Sequence, residues 1–190
     1  METMVNETAY KGNEPKVSLF NHALRYGLLT GIAYILLSLL FYSFGLSQQS
    51  WVGYASFVVL IAGIIMGTVA YRDKHSGGYL SYGRSLATGV LISLVAGIVM
   101  AVYSYLFFKF FEPGMIDSMM DVAAQSLADK GMAEDQIDQA MSITGKFMTP
   151  IWMAVISIFS LTFYGTIFSL ITSIFIKKED NSFDAAFPEN

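Results

Sequence analysis

From Tyr26 to Tyr71 the chain carries no Asp, Glu, Lys, Arg or His. Two further stretches, Ser85 to Phe108 and Phe147 to Ile176, are equally free of ionisable acids and bases. A helix that crosses a bilayer needs roughly 20 apolar residues, because the hydrocarbon core is about 30 Å thick and each residue rises about 1.5 Å. The first stretch is about twice that length and is interrupted by the polar turn Gly45-Leu46-Ser47-Gln48-Gln49-Ser50, so it holds two spans; the others hold one each. Charged residues make up only 14% of the chain, against about 25% in an average soluble domain. A soluble protein would need more charge to cover its surface.

The sequence therefore predicts an all-α integral membrane protein with four transmembrane helices, over 21–46, 51–71, 83–109 and 150–176. Residues 1–20 form a cytoplasmic N-terminal tail, 21–178 the membrane domain and 179–190 a cytoplasmic C-terminal tail. The first apolar run follows about 20 polar residues and exceeds the 7–15 residues of a cleavable signal core, so the first helix reads as an uncleaved signal-anchor.

Lys and Arg mark the cytoplasmic side. With the N-terminus inside, Lys11, Lys16, Arg25, Arg72, Lys74, Arg84, Lys177 and Lys178 are cytoplasmic, and Lys109, Lys130 and Lys146 are outside. Trp51 and Trp152 open the second and fourth spans, which puts both at the outer interface where tryptophan concentrates. Arg25, Arg72, Lys74, Arg84, Lys177 and Lys178 are the expected cytoplasmic anchors. The placement is an inner-membrane protein with both termini cytoplasmic.

The cytoplasmic segment contains Gly78-Tyr79-Leu80-Ser81-Tyr82-Gly83-Arg84-Ser85, a near match to the phosphate-binding loop G-x-x-x-x-G-K-[ST]. That loop follows a buried strand, and its lysine reaches the phosphates. Here a membrane helix precedes it, and Arg84 replaces the compact ammonium. The segment reads as a turn at Gly77-Gly78, where glycine tolerates positive φ.

Small residues recur at four-residue spacing: Gly27 with Gly31, Gly63 with Gly67, and Gly89 with Ser93 and Gly97. Such faces let helix backbones approach closely, within one bundle or against a second copy or partner. The span centres contain no ionisable side chain and no internal proline, which disfavours proton pumps and ion-coupled transporters. Between the third and fourth spans, residues 112–148 form an extracytoplasmic amphipathic helical hairpin. Ile116, Met119, Met120, Ala123 and Leu127 recur at helical spacing, Lys130-Gly131 is a stop, and Ile137, Met141 and Phe147 mark a second helix. Its acids, among them Glu134 and Asp138, read as a solvated face, since no calcium-loop pattern is present.

Catalytic patterns are absent. His22 and His75 lack metal-ligand spacing, cysteine is missing altogether, and no G-x-S-x-G occurs. No catalytic residue, cofactor or metal is expected. The net charge of -4 and the lack of a basic stripe interleaved with aromatics exclude nucleic acid.

The run from Gly63 to Val90, "GIIMGTVAYRDKHSGGYLSYGRSLATGV", the helix end "YSYLFFKFFEPG" from Tyr103 to Gly114, the acidic outer segment and the terminal Lys177-Lys178 together resemble the uncharacterised bacterial membrane family grouped as domain of unknown function 4199. The resemblance runs from about Asn21 to Lys178. It implies a four-span protein of the bacterial inner membrane and supplies no activity or catalytic residues. The function expected is a non-enzymatic accessory or scaffolding subunit of a cell-envelope membrane complex. Its partners are the bilayer and either another membrane protein or a second copy, engaged through the small-residue faces or the outer hairpin. The alternative is a transporter or a subunit translocating a lipid-linked substrate. A membrane-embedded enzyme ranks third, resting on Asp73, His75 and Arg84 alone.

Overall fold

A computed structural model of the chain describes residues 18–46, 49 and 51–178. Both tails beyond those limits, with Lys11 and Lys16, and positions 47, 48 and 50 of the first turn lie outside the described residues. The described chain is all-helical: α1 (Leu19–Ser43), α2 (Val52–His75), α3 (Tyr82–Leu106), α4 (Gly114–Asp129), α5 (Glu134–Phe147) and α6 (Pro150–Ile176). α1, α2, α3 with its extension, and α6 are long and apolar enough to cross a membrane.

The helix ends follow local chemistry. Thr149 caps α6, its hydroxyl accepting from the Trp152 amide at 3.4 Å, and Pro150 occupies the first position, where the missing N–H costs nothing. α2 continues one turn beyond the expected Tyr71, to His75, and places Arg72, Lys74 and His75 in its last turn. Basic side chains favour that position because the final carbonyls carry partial negative charge. α1 is shifted toward its start relative to 21–46. The third span departs furthest from expectation. Its α-helix stops at Leu106, and Phe107–Phe111 forms a π-helical turn instead of continuing to Lys109. Four phenylalanines crowd this turn; Phe107 is buried and Phe110 and Phe111 are exposed. Gly77 and Gly78 have φ of 63° and 86°, and a helix precedes them, so this loop is the glycine turn and lacks the strand a phosphate loop requires.

α3 is the central helix and packs against α1, α2 and α6. Its partnership with α6 is the most extensive and rests on small residues. A Cβ added at Gly89 would strike Ser169 Oγ, and one at Gly165 would strike Ser93 Oγ. At Gly97 it would come within 3.1 Å of the Ile158 backbone. Positions rise by four along α3 as they fall by four along α6, and Gly89 and Gly165 each receive the other helix's serine. Ser104 and Ser157 extend the seam through a hydroxyl–hydroxyl bond of 3.1 Å. The other faces of α3 are equally close. Gly27 and Gly31 of α1 lie against Val95 and Val99, with virtual Cβ distances of 2.5 and 2.7 Å. Gly67 of α2 meets Ile92 of α3 and Tyr26 of α1, and Gly63 meets Thr30. Tyr34, Leu60 and Ile64 form the apolar centre, with Val59, Met100, Leu161 and Phe168 around it.

The two bundle ends differ in chemistry. At one end, Leu80 and Lys178 exchange backbone hydrogen bonds of 2.8 and 3.0 Å, fastening the α2–α3 loop to the end of α6. Arg72 donates to the Ile176 carbonyl at 3.3 Å and Tyr82 to that of Leu170 at 3.3 Å. At the other, Trp51 packs edge-on against Phe41, and Trp152 against Phe147. α4 and α5 pack on each other and reach the π turn through α4; neither has a buried residue.

The seam yields a test. Gly165→Ala should destabilise the protein by about 1–3 kcal/mol, the usual cost of overpacking, despite alanine's better helix propensity. Ser93→Gly in the same chain should restore the melting temperature. Gly53→Ala, whose Cβ meets nothing within 4 Å, should leave it unchanged or raise it.

Candidate functional site

The basic end holds the most polar constellation of the bundle. His22 lies one turn into α1 and is only 3% exposed. Its Nε2 donates to the Gly67 carbonyl of α2 at 2.8 Å, which fixes the proton on Nε2 in the neutral ring. That carbonyl already belongs to a helical ladder, and Gly67 has no side chain to hold α1 away from it. Tyr26, one turn further along α1, stacks on His22 with ring centroids 4.7 Å apart. Tyr71 and His75, one turn apart on α2, meet His22 edge-on at 5.1 and 5.2 Å. A spacing of four residues on each of two helices thus brings four rings together.

A pocket of about 260 Å³ opens beside these rings, lined by His22, Arg25, Tyr26, Leu29, Lys74 and His75. Among the described residues no carboxylate lines it. The adjacent Asp73 is engaged by Arg72 at 2.8 Å, and this is the one ion pair among the described residues. The lining therefore presents two permanent cations, two imidazoles and a phenol. This set suits an anion. It does not suit a metal ion, and among the described residues no group of three or more His, Asp or Glu converges.

Directly beyond, Tyr26 and Leu29 also border a second hollow of about 350 Å³, whose walls include Ala33, Val59, Ala62 and Met66. This groove between α1 and α2 is almost wholly apolar. The two hollows share a boundary, so polarity changes sharply along one continuous depression.

Most hydroxyls within the described helices are used locally. Thr30, Thr88, Ser93, Ser157, Thr166 and Thr172 each donate to the carbonyl four residues earlier in their own helix. Thr68, Ser85 and Ser169 are enclosed, without a hydrogen-bond partner among the described residues.

The structure distributes the sequence-selected residues as follows. Gly27, Gly31, Gly63, Gly67, Gly89, Ser93 and Gly97 all lie at contacts between helices of this one chain. Arg25, Arg72, Lys74, Arg84, Lys177 and Lys178 gather at the basic end, with only Arg25 and Lys74 in the pocket. Trp51 and Trp152 stand at the opposite end, roughly half exposed. Asp73 pairs with Arg72, and His75 meets His22 edge-on. Sequence inspection missed His22 as a partner of His75, although the two residues flank the uncharged pair of spans. It also missed Gly165, Ser169 and Ser173, which repeat the four-residue spacing seen on α3.

His22→Phe should keep the ring packing and lose only the bond to Gly67, costing about 0.5–1.5 kcal/mol. His22→Ala should cost more, because it also leaves a cavity. Thermal melts of both variants beside the parent check the order.

A family model described as "Protein of unknown function (DUF4199)" matches residues 25–178. No curated protein and no solved structure matches the chain.

Proposed function

The chain belongs to the DUF4199 family of proteins of unknown function, and from that membership and its four long apolar helices we propose a non-enzymatic accessory or scaffolding subunit of a membrane complex in the bacterial cell envelope. The four helices span the inner membrane. Lys and Arg gather at the basic end, which faces the cytoplasm; the tryptophan end, with α4 and α5 as an amphipathic hairpin, faces outward.

The observation that carries this reading is the state of the outer pair. α4 and α5 have no buried residue, yet Val122, Ile143 and Phe147 are each at least half exposed. Outside the bilayer, such side chains are expected to be covered. The small-residue faces are already filled within the chain, so a partner or second copy must use other surfaces, and the outer pair is the best suited. Its methionines adapt readily to a partner's shape.

Translocation of a lipid-linked substrate is the second reading, favoured by the depression between α1 and α2. Against active transport stand the absence of ionisable residues from the span centres and the self-bonded hydroxyls.

The test is purification of the tagged full chain from native membranes in mild detergent, with mass spectrometry. A stoichiometric second protein is expected, and Val122→Glu with Ile143→Glu should abolish its recovery. Because neither residue is buried, the melting temperature of the variant should stay within about 2 °C of the parent, the scale of a surface change of ~0.5 kcal/mol. Recovery of this chain alone from the parent would refute the accessory role.

A further inference from the structure

We propose that the depression between α1 and α2 is a binding site for one anionic phospholipid, with its phosphate at Arg25 and Lys74 and one acyl chain in the groove past Leu29. This rests on the membrane placement above but not on the accessory role.

Two observations support each other. The first is charge. Arg25 and Lys74 line the polar pocket with His22 and His75; among the described residues no acid lines it and neither cation makes an ion pair. A guanidinium and an ammonium on facing helices are complementary to a phosphate diester, which accepts hydrogen bonds from both. The second is continuity. Tyr26 and Leu29 belong to both hollows, so a ligand held by its phosphate has an apolar wall directly beneath it. From Val59 to Met66 the groove runs roughly 10 Å along α2 at about 1.5 Å per residue. It lies on the hydrocarbon side of the cations, where a lipid's chains begin.

A free phosphate would use only the polar half. A helix from a second copy would fill the apolar half, but it would bring another Arg25 and Lys74 toward the first set and leave the charge uncompensated. A phospholipid satisfies both halves. The geometry also explains why His22 is held in place by Gly67. The bond keeps α1 and α2 in the register that sets Arg25 opposite Lys74.

The experiment uses the purified full chain in a mild neutral detergent, read by native mass spectrometry and by melting temperature. The probes are dioleoyl phosphatidylglycerol, dioleoyl phosphatidylcholine and glycerol 3-phosphate. Phosphatidylglycerol should bind one-to-one and raise the melting temperature, as any ligand selective for the folded state does. Phosphatidylcholine should bind far more weakly, and glycerol 3-phosphate should produce no shift. Arg25→Gln with Lys74→Gln should weaken phosphatidylglycerol binding about 25-fold, about fivefold for each cation removed. Arg84→Gln, a basic-end residue outside the pocket, should bind as the parent does. Ala62→Phe, which fills the groove at an exposed position without touching a cation, should also abolish binding. It keeps the test decisive if the double variant does not fold. Equal binding of both lipids, equal binding by the parent and the Ala62→Phe variant, or an equal shift from glycerol 3-phosphate would overturn the proposal. So would a dimer that buries Ala62 and excludes the lipid.

Discussion

The bundle depends on how closely α3 and α6 approach. They are separated in sequence by the segment carrying α4 and α5, and in the lipid setting proposed above there is no water to expel between helices, so apolar area alone gives little reason for them to meet. What holds them is contact at backbone distance. Glycine on one helix takes serine from the other, and the pattern repeats each turn as Gly89 with Ser169 and Ser93 with Gly165. Dispersion falls steeply with distance, so any added side-chain carbon at these positions costs the contact around it. α3 repeats the device toward α1 through Gly27 and Gly31. One helix is thereby enclosed by three, and the others keep broad exposed apolar faces, such as Phe159, Phe163 and Phe175 on α6.

This economy decides where function can sit. Most hydroxyls of the described helices are bonded to their own helices, to a neighbouring helix or enclosed. The small-residue faces that would recruit a partner are occupied. Two surfaces remain. One is the amphipathic pair α4 and α5, attached to the bundle through the π turn. The other is the depression between α1 and α2, where cations and imidazoles meet an apolar groove. The first suits a protein and the second suits an amphiphile.

Much of this was legible in the sequence because bilayer thickness and charge exclusion act on long runs. The three uncharged stretches, the first divided by a polar turn, specified four long helices, and Thr149-Pro150, Gly77-Gly78 and Lys130-Gly131 marked boundaries through capping and positive φ. The π turn at Phe107–Phe111 was not legible, since an apolar aromatic run fits an α-helix equally well by composition. The pairing of glycines with particular serines was hidden for another reason. Periodicity shows that a face is small but not which face of which helix it meets. The His22–His75 contact depends on two helix ends converging from positions more than 50 residues apart, and no local signal encodes that.

The central claim is that the small-residue seams are used up within a single chain. Ser104 Oγ and Ser157 Oγ stand 3.1 Å apart across α3 and α6, and the chain has no native cysteine to compete. The direct measurement is oxidation of the Ser104→Cys, Ser157→Cys double variant in native membranes, followed by non-reducing electrophoresis and peptide mapping. The account predicts one intramolecular disulfide in a band of monomer mass. A disulfide-linked dimer, or two thiols that remain free under mild oxidant, would contradict it.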